Sequence, residues 1–277
     1  MPAFFHNLPE LRKHIGQGRP ELPTNTPART FLRLNFENSF RYSSLQFFNI
    51  QRYAMALVLF DLDNTLLAGD SDYLWGQFLG EKGLVDPAFY SAENERFYQE
   101  YKDGELDIFE FLEFSLKPLA EHSMNELQNL HRQFMEEKIH PIVSEDALLL
   151  VDKHRKRGDD LVIITATNSF VTAPIARRFG IQNLIATEPE IQNNRYTGRV
   201  SDTPCFREGK VKKLNDWLKC RNLNLGDSWF YSDSHNDLAL LEQVTHPIPV
   251  DPDVTLASVA REKGWPILYL HHASPPS

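Results

Sequence analysis

The stretch Leu57-Val58-Leu59-Phe60-Asp61-Leu62-Asp63-Asn64-Thr65-Leu66-Leu67 constrains the fold of this chain more than any other. An apolar run ends abruptly in two aspartates separated by one leucine, and Asn and Thr follow at once. A short run that is apolar throughout reads as a strand buried on both faces, as in parallel sheets. In α/β proteins, sites lie beyond the carboxyl ends of such strands. Two carboxylates delivered there can hold a hard cation, and an aspartate can act as a nucleophile in phosphoryl transfer. Taken alone, the pattern also fits a strand that ends in an Asx turn. Its meaning depends on what else reaches the same edge.

The chain has 277 residues, enough for one large domain or two small ones. Hydrophobic residues at 42% and charged residues at 24% are ordinary for a soluble globular protein. No apolar run reaches the roughly 20 residues that span a membrane. Cys205 and Cys220 are the only cysteines, too few for a disulfide scaffold and without zinc-type spacing. A reducing, cytoplasmic setting is therefore the expectation.

The net charge of −9 is unevenly placed. Residues 1–54 hold seven Lys/Arg and three Glu, a net +4 that leaves −13 for the remainder. An acidic body argues against a nucleic-acid surface. Residues 1–54 also carry Pro2, Pro9, Pro20, Pro23 and Pro27, with no sustained helical or strand period and no apolar core of a secretory signal. They are expected to be a poorly ordered extension, or an upstream over-reading of the frame with Met55 as the natural start.

From Leu57 onward, strands alternate with helices. Buried strands are expected at 56–60, 161–165, 183–187 and 228–232, with further short elements at 247–250 and 266–270. Helices are expected at 144–157, closed by Gly158, at 168–179, at 210–220, at 236–243 and at 254–263. Asn193-Asn194 and Thr197-Gly198 suggest a hairpin. The long segment from Asp72 to Glu137 is mostly helical, with aromatics at mixed spacing that suit the core of a helical subdomain. This order predicts an α/β fold: a Rossmann-like parallel sheet with helices on both faces and a helical cap inserted after the first strand. The predicted division is a core of 55–70 and 140–277 with a cap of 71–139.

Four element ends carry polar groups: Asp61 and Asp63; Thr165, closing Leu161-Val162-Ile163-Ile164; Lys210, opening a helix after Glu208-Gly209; and Asp233 with Asp237, in Ser232-Asp233-Ser234-His235-Asn236-Asp237. Each has a plain alternative. Asp233 and Asp237 suit a helix cap, Lys210 a solvated surface, Thr165 strand packing, and His235 a solvated turn.

Taken in order, these groups resemble the motifs of the haloacid dehalogenase superfamily of phosphohydrolases. Asp61-Leu62-Asp63-Asn64-Thr65 matches Asp-x-Asp-x-Thr, Thr165 the Ser/Thr of the second motif, and Lys210 the lysine of the third. Ser232 to Asp237 resembles Gly-Asp-x-x-x-Asp, with Ser232 in place of the glycine. The resemblance implies that Asp61 attacks phosphorus and that Asp63 is the general acid and base. It implies that Mg2+ binds the Asp61 and Asp233 carboxylates and the Asp63 carbonyl, and that Thr165 and Lys210 hold phosphate oxygens. Asn236 and Asp237 would support the site, Asp237 by orienting Lys210 or by supporting the metal from behind its ligands. The insert between the first two motifs is similar to that of the phosphoserine-phosphatase-like branch.

Within that branch, a carboxylate nine positions after the nucleophile binds a substrate ammonium; here it is Asp70, which also suits a helix cap. The arginine that pairs with the phosphoserine carboxylate has its nearest counterpart in Phe114-Ser115-Leu116-Lys117-Pro118-Leu119, where Leu119 stands at the second arginine position. Lys117 would replace it only as a point charge. Gly69-Asp70-Ser71-Asp72-Tyr73-Leu74-Trp75 resembles a bacterial group assigned as histidinol-phosphatases, which implies L-histidinol phosphate as substrate and a place in histidine biosynthesis. Tyr73 and Trp75 would stack on an imidazole or pack the helix. Phosphoserine, a broader set of small phosphorylated metabolites, and a non-catalytic module that binds phosphorylated ligands are the competing readings.

Overall fold

A computed structural model describes residues 55–271; the expectations for 1–54 lie outside them. Strand β1 (Leu57–Phe60) is followed by helices α1 (Ser71–Glu81), α2 (Pro87–Asp103), α3 (Ile108–Glu121) and α4 (Met124–Phe134). A π-helical turn (Met135–Ile139) and a 3-10 turn (His140–Ile142) lead to α5 (Glu145–Arg157), β2 (Asp160–Asn168), α6 (Ser169–Arg178) and β3 (Asn183–Thr187). A hairpin of β4 (Pro189–Gln192) and β5 (Arg195–Val200) precedes α7 (Glu208–Arg221) and β6 (Ser228–Ser232). A 3-10 turn (His235–Asp237), α8 (Leu238–Leu241), β7 (His246–Pro249) and α9 (Val254–Lys263) complete the order.

Five strands form one parallel sheet in the order β3-β2-β1-β6-β7. Alternate residues of β1 feed opposite apolar layers. Val58 and Phe60 join a cluster with Val151, Ile175 and Phe134, while Leu57 and Leu59 join another with Leu214, Leu241 and Leu256. Burial of both faces is what makes β1 read as an unbroken apolar run. The order of strands reverses at β1, so the crevice beyond β1 and β6 is the topological switch point at which α/β folds bind ligands.

The insert packs in two ways. Trp75 stacks on Phe78 and meets Phe134 and Phe170 of α6 edge to face, which ties α1 and α4 to the layer under the sheet. Phe97 and Leu106 pack on Phe206, beside Ala166, and form a roof over the strand ends. Phe89 and Phe109, by contrast, are exposed. α3 rests on the hairpin, where Gly198 lies against Ala120.

Several boundaries differ from expectation. β2 continues to Asn168 rather than ending at Thr165, because it pairs with β3 again at Asn168–Thr187 after an irregularity in register. α7 starts two residues before Lys210. The expected helix at 236–243 is a 3-10 turn followed by one short helix, because the Ser234 hydroxyl accepts from the Asn236 N–H at 3.2 Å and holds a local turn. The hairpin turns at Asn193-Asn194, both at positive φ (50° and 59°), as a two-residue primed turn requires; Thr197 and Gly198 lie within β5. Of 266–270, Leu268 makes an isolated parallel bridge to Val250.

Candidate active site

Asp61 follows the last residue of β1, and its N–H donates to the Tyr231 carbonyl of β6 at 2.9 Å. That bond places the Asp61 carboxylate over the switch point, where it is nearly inaccessible. Burial pushes its pKa up to about 7; the Lys210 ammonium opposes this, and the Asp237 and Asp63 charges add to it. Lys210 reaches it from the first turn of α7. Its Nζ donates to Asp61 Oδ1 at 2.9 Å and to Asp237 Oδ2 at 2.7 Å. Burial disfavours the ammonium, but the two carboxylates outweigh it and hold the Lys210 pKa above the usual range.

Asp63 is anchored at both oxygens. Its Oδ1 accepts from the Ser71 N–H at 2.7 Å, and its Oδ2 accepts from Thr167 Oγ1 at 2.9 Å and Thr165 Oγ1 at 3.4 Å. Burial, reinforced by the Asp70 charge, raises its pKa to about 6. A carboxyl that titrates near neutrality can carry a proton both ways. Thr167 was not among the expected residues. The signal was present: Thr165 and Thr167 stand two apart on an extended strand and share a face.

Asp233, just past β6, is linked to Thr65 by reciprocal hydrogen bonds. Burial, then the Asp61 and Asp237 charges, hold its pKa well above the carboxylate range. Asp237 also accepts from Ser232 Oγ at 2.7 Å, so the serine standing in place of a glycine orients the lysine's partner. Asn236 donates through Nδ2 to the Tyr101 carbonyl at 3.1 Å and accepts through Oδ1 from Arg207 Nε at 3.0 Å. Arg207 also donates to the Gly104 carbonyl and sits at φ 49°, a costly conformation for a residue other than glycine. Two carbonyls at the end of α2 are thereby tied to the core. His235 is not a solvated turn residue: its ring Nδ1 lies 2.9 Å from Asp253 Oδ2, and only about 20% of its side chain is exposed.

The structure brings Asp61, Asp63, Thr165 and Lys210 to the floor of one cavity of about 80 Å3, with Asp70 and Asp72 on its wall. Asp233 faces a neighbouring open cleft reached past Asn64 and Tyr101. Asp70 N-caps α1, its Oδ1 accepting from the Asp72 and Tyr73 N–H groups at 2.9 Å each. Lys117 and Leu119 lie away from this cavity. Leu119 is buried in the core and Lys117 is exposed beside the hairpin, so the expected point charge does not reach the site. Among the described residues lining the cavity, Lys210 is the only cation. Trp75 packs in the core, whereas Tyr73 is on the cavity wall.

Asp61 and Asp237 share one ammonium and Asp233 adds a further carboxylate beside them, so the site holds an excess of acidic groups that a small divalent cation would offset. Among the described residues, no group of three or more His, Cys, Asp or Glu side chains converges as a cage. A pair of carboxylates, with a carbonyl, waters and phosphate oxygens, is instead the donor set that suits Mg2+.

A buried aspartate beyond the central strand, paired with a lysine and close to a second carboxyl, lies where this α/β fold places the site of a hydrolase. The chain belongs to the haloacid dehalogenase-like hydrolases, whose family model matches residues 58–242. Over 216 residues it is 48% identical to the histidinol-phosphatase of Neisseria meningitidis serogroup C (strain 8013), covering 76% of this chain and 97% of that one. The crystal structure of a protein of unknown function from Bordetella pertussis Tohama I is similar, with a TM-score of 0.73 at 49% identity over 77% of this chain and 98% of that one. A substrate-bound phosphoserine phosphatase shares the fold, with a TM-score of 0.59 at 17% identity over 79% of this chain and 94% of that one. No helix among the described residues is long and apolar enough to cross a membrane.

Proposed function

We propose that the protein is a Mg2+-dependent phosphomonoesterase that hydrolyses L-histidinol phosphate to L-histidinol. The observation that carries this reading is the composition of the cavity. It joins Asp61, Lys210 and Thr165 on the floor to carboxylates and aromatic rings on the wall, and it offers no second cation for a substrate carboxylate. That pattern favours an amine-bearing alcohol phosphate over phosphoserine. The 48% identity to a histidinol-phosphatase supports the same substrate.

In this reading a carboxylate oxygen of Asp61 attacks phosphorus, and the bond from phosphorus to the ester oxygen breaks. Asp63 gives its proton to the departing alkoxide, then takes one from the water that attacks the aspartyl-phosphate, releasing phosphate and restoring Asp61. Thr167 and the Ser71 N–H hold Asp63 in place for both transfers. Lys210 and Thr165 bind non-bridging oxygens, and Asp237 keeps Lys210 charged and oriented. Mg2+, held by Asp61, Asp233 and the Asp63 carbonyl, would neutralise phosphate charge in the transition state. The helices of 71–139 act as the cap, with Phe97 and Leu106 over the cavity. Phosphate release from L-histidinol phosphate, L-phosphoserine and ethanolamine phosphate, with and without Mg2+, tests the reading. Preference for histidinol phosphate supports it; preference for phosphoserine overturns the substrate, and release without Mg2+ overturns the cofactor.

A further inference from the structure

The segment after α9 ends against the loop that follows β1. The Leu268 N–H donates to the Pro249 carbonyl, and the Leu268 carbonyl accepts from the Asp251 N–H, both at 2.9 Å, so this segment runs beside the end of β7. Leu268 and Leu270 pack on the cluster that holds Val58 and Phe60. Asp251 turns at φ 40°, a left-handed conformation that side chains rarely adopt. Its Oδ2 accepts from the Leu270 and His271 N–H groups at 2.9 Å each. His271 in turn places its ring Nε2 3.0 Å from the Thr65 carbonyl. A carbonyl only accepts, so Nε2 carries the proton and donates.

That bond falls on the residue that holds Asp233. Thr65 is fully buried, and its hydroxyl exchanges two hydrogen bonds with Asp233. The Thr65 N–H reaches the Leu62 carbonyl at 3.4 Å, so the bond from His271 is the shorter of these two backbone ties. From the other side, the Asp253 N–H donates to the Asp233 carbonyl at 2.9 Å, and Asp253 Oδ2 accepts from the His235 N–H at 2.6 Å. The loop after β7 thus braces Asp233 twice, directly through Asp253, and through Asp251, His271 and Thr65 in series. Packing Leu268 and Leu270 requires neither a donor at position 271 nor the left-handed turn at Asp251. Sparsely populated backbone conformations of this kind gather where a site must be held in place.

We propose that His271 is a positioning residue of the metal side of the site: held by Asp251, it fixes the Thr65 backbone and so sets the Asp233 carboxylate for a divalent cation. The assignment rests on the reading of Asp233 as a Mg2+ ligand.

The test titrates Mg2+ into the full chain by calorimetry with no substrate present, so that it reads binding rather than turnover. His271→Phe keeps a ring and removes the donor, whereas His271→Gln keeps a donor. Mg2+ is expected to bind His271→Phe about fivefold more weakly than the wild type, the effect of one lost hydrogen bond, and to bind His271→Gln nearly as well as the wild type. In a Thr65→Val background, His271→Phe is expected to add little, because the path to Asp233 is already cut. Equal Mg2+ affinity in wild type and His271→Phe, even with a lower Tm, assigns His271 to the fold and overturns the proposal while the Mg2+ reading stands. A loss of the same size in the Thr65→Val background also overturns it, since His271 would then act on the cation by another route. A wild type that binds no Mg2+ overturns the cofactor reading and the proposal with it.

Discussion

Thr65 and Asp233 exchange two hydrogen bonds: Thr65 Oγ1 donates to Asp233 Oδ1 at 3.0 Å and accepts from the Asp233 N–H at 3.0 Å. One hydroxyl thus joins the loop after β1 to the loop after β6 and turns Asp233 toward Asp61. Thr65→Val keeps the shape and removes both bonds, leaving the Asp233 N–H and carboxylate without those partners. We expect a loss of about 1–3 kcal/mol in urea denaturation and a higher Mg2+ concentration at half-maximal activity. Unchanged stability would mean that water replaces the hydroxyl.

Asp61→Asn separates chemistry from architecture. The amide oxygen can still accept from Lys210, and Asp237 still pairs with that lysine, so the fold is expected to survive. On the proposed mechanism kcat falls at least a hundredfold, about 3 kcal/mol, and no covalent phosphate is trapped on acid quench. Activity above a hundredth of wild type would remove Asp61 from the nucleophile role.

Lys210 neutralises two buried carboxylates at once, so its removal is a different experiment. Lys210→Met is expected to cost about 3–5 kcal/mol because it leaves buried charges unpaired. Asp61 already titrates near 7 with the lysine in place, and without it the folded-state pKa rises further. A raised folded pKa means that the native state binds the proton before the unfolded chain does. The variant therefore regains stability as pH falls from about 7 toward the unfolded value of about 3.9. Denaturation of both proteins at pH 7 and 5 checks this: the gap should narrow at pH 5.

The sheet and the motif residues were legible in the sequence for a physical reason. A strand buried on both faces has to be apolar along its length, so β1, β2 and β6 stand out, and the polar residues just past their carboxyl ends lie at the switch point by topology. The hydrogen bonds that set the function of each group were less legible. Thr167 was hidden because β2 runs past the residue at which the apolar run ends. Arg207 left no trace in pattern, since its positive φ and its bonds to Gly104 and Asn236 arise from tertiary packing. Asp70 stood in plain view in Gly69-Asp70-Ser71-Asp72, but spacing alone cannot tell which of the two aspartates caps the helix. Lys117 shows the reverse: its place in a matched stretch suggested a ligand contact, and the packing of Leu116 and Leu119 into the core turns it away from the cavity.

Gly209 sets the position of Lys210. A Cβ built on Gly209 would overlap the Pro204 carbonyl oxygen, and backbone cannot yield as a side-chain tip can. Gly209→Ala is expected to shift the first turn of α7, costing about 1–3 kcal/mol and lowering kcat by misplacing the ammonium. Thermal denaturation and steady-state kinetics together check this. A variant with wild-type kcat would show that Lys210 tolerates the displacement.

His131 supplies a pH dependence distant from the site. It is buried, its Nε2–H donates to the Val171 carbonyl at 2.9 Å, and its ring stacks on Trp75 with centroids 5.9 Å apart. Burial lowers its pKa, against the raising effect of the Val171 carbonyl. A lowered pKa means that the folded state keeps the neutral ring while the unfolded chain takes up a proton. Its contribution is full above the unfolded pKa of about 6.5 and shrinks as pH falls below it, by at most about 1.4 kcal/mol per pH unit. The buried aspartates with raised pKa act in the opposite sense, so the wild-type curve alone does not isolate the histidine. His131→Gln, whose amide can still donate to Val171, removes this one titration. The stability difference between wild type and variant should therefore narrow between pH 7.5 and 5.5; a constant difference would show that folding does not lower the pKa of His131.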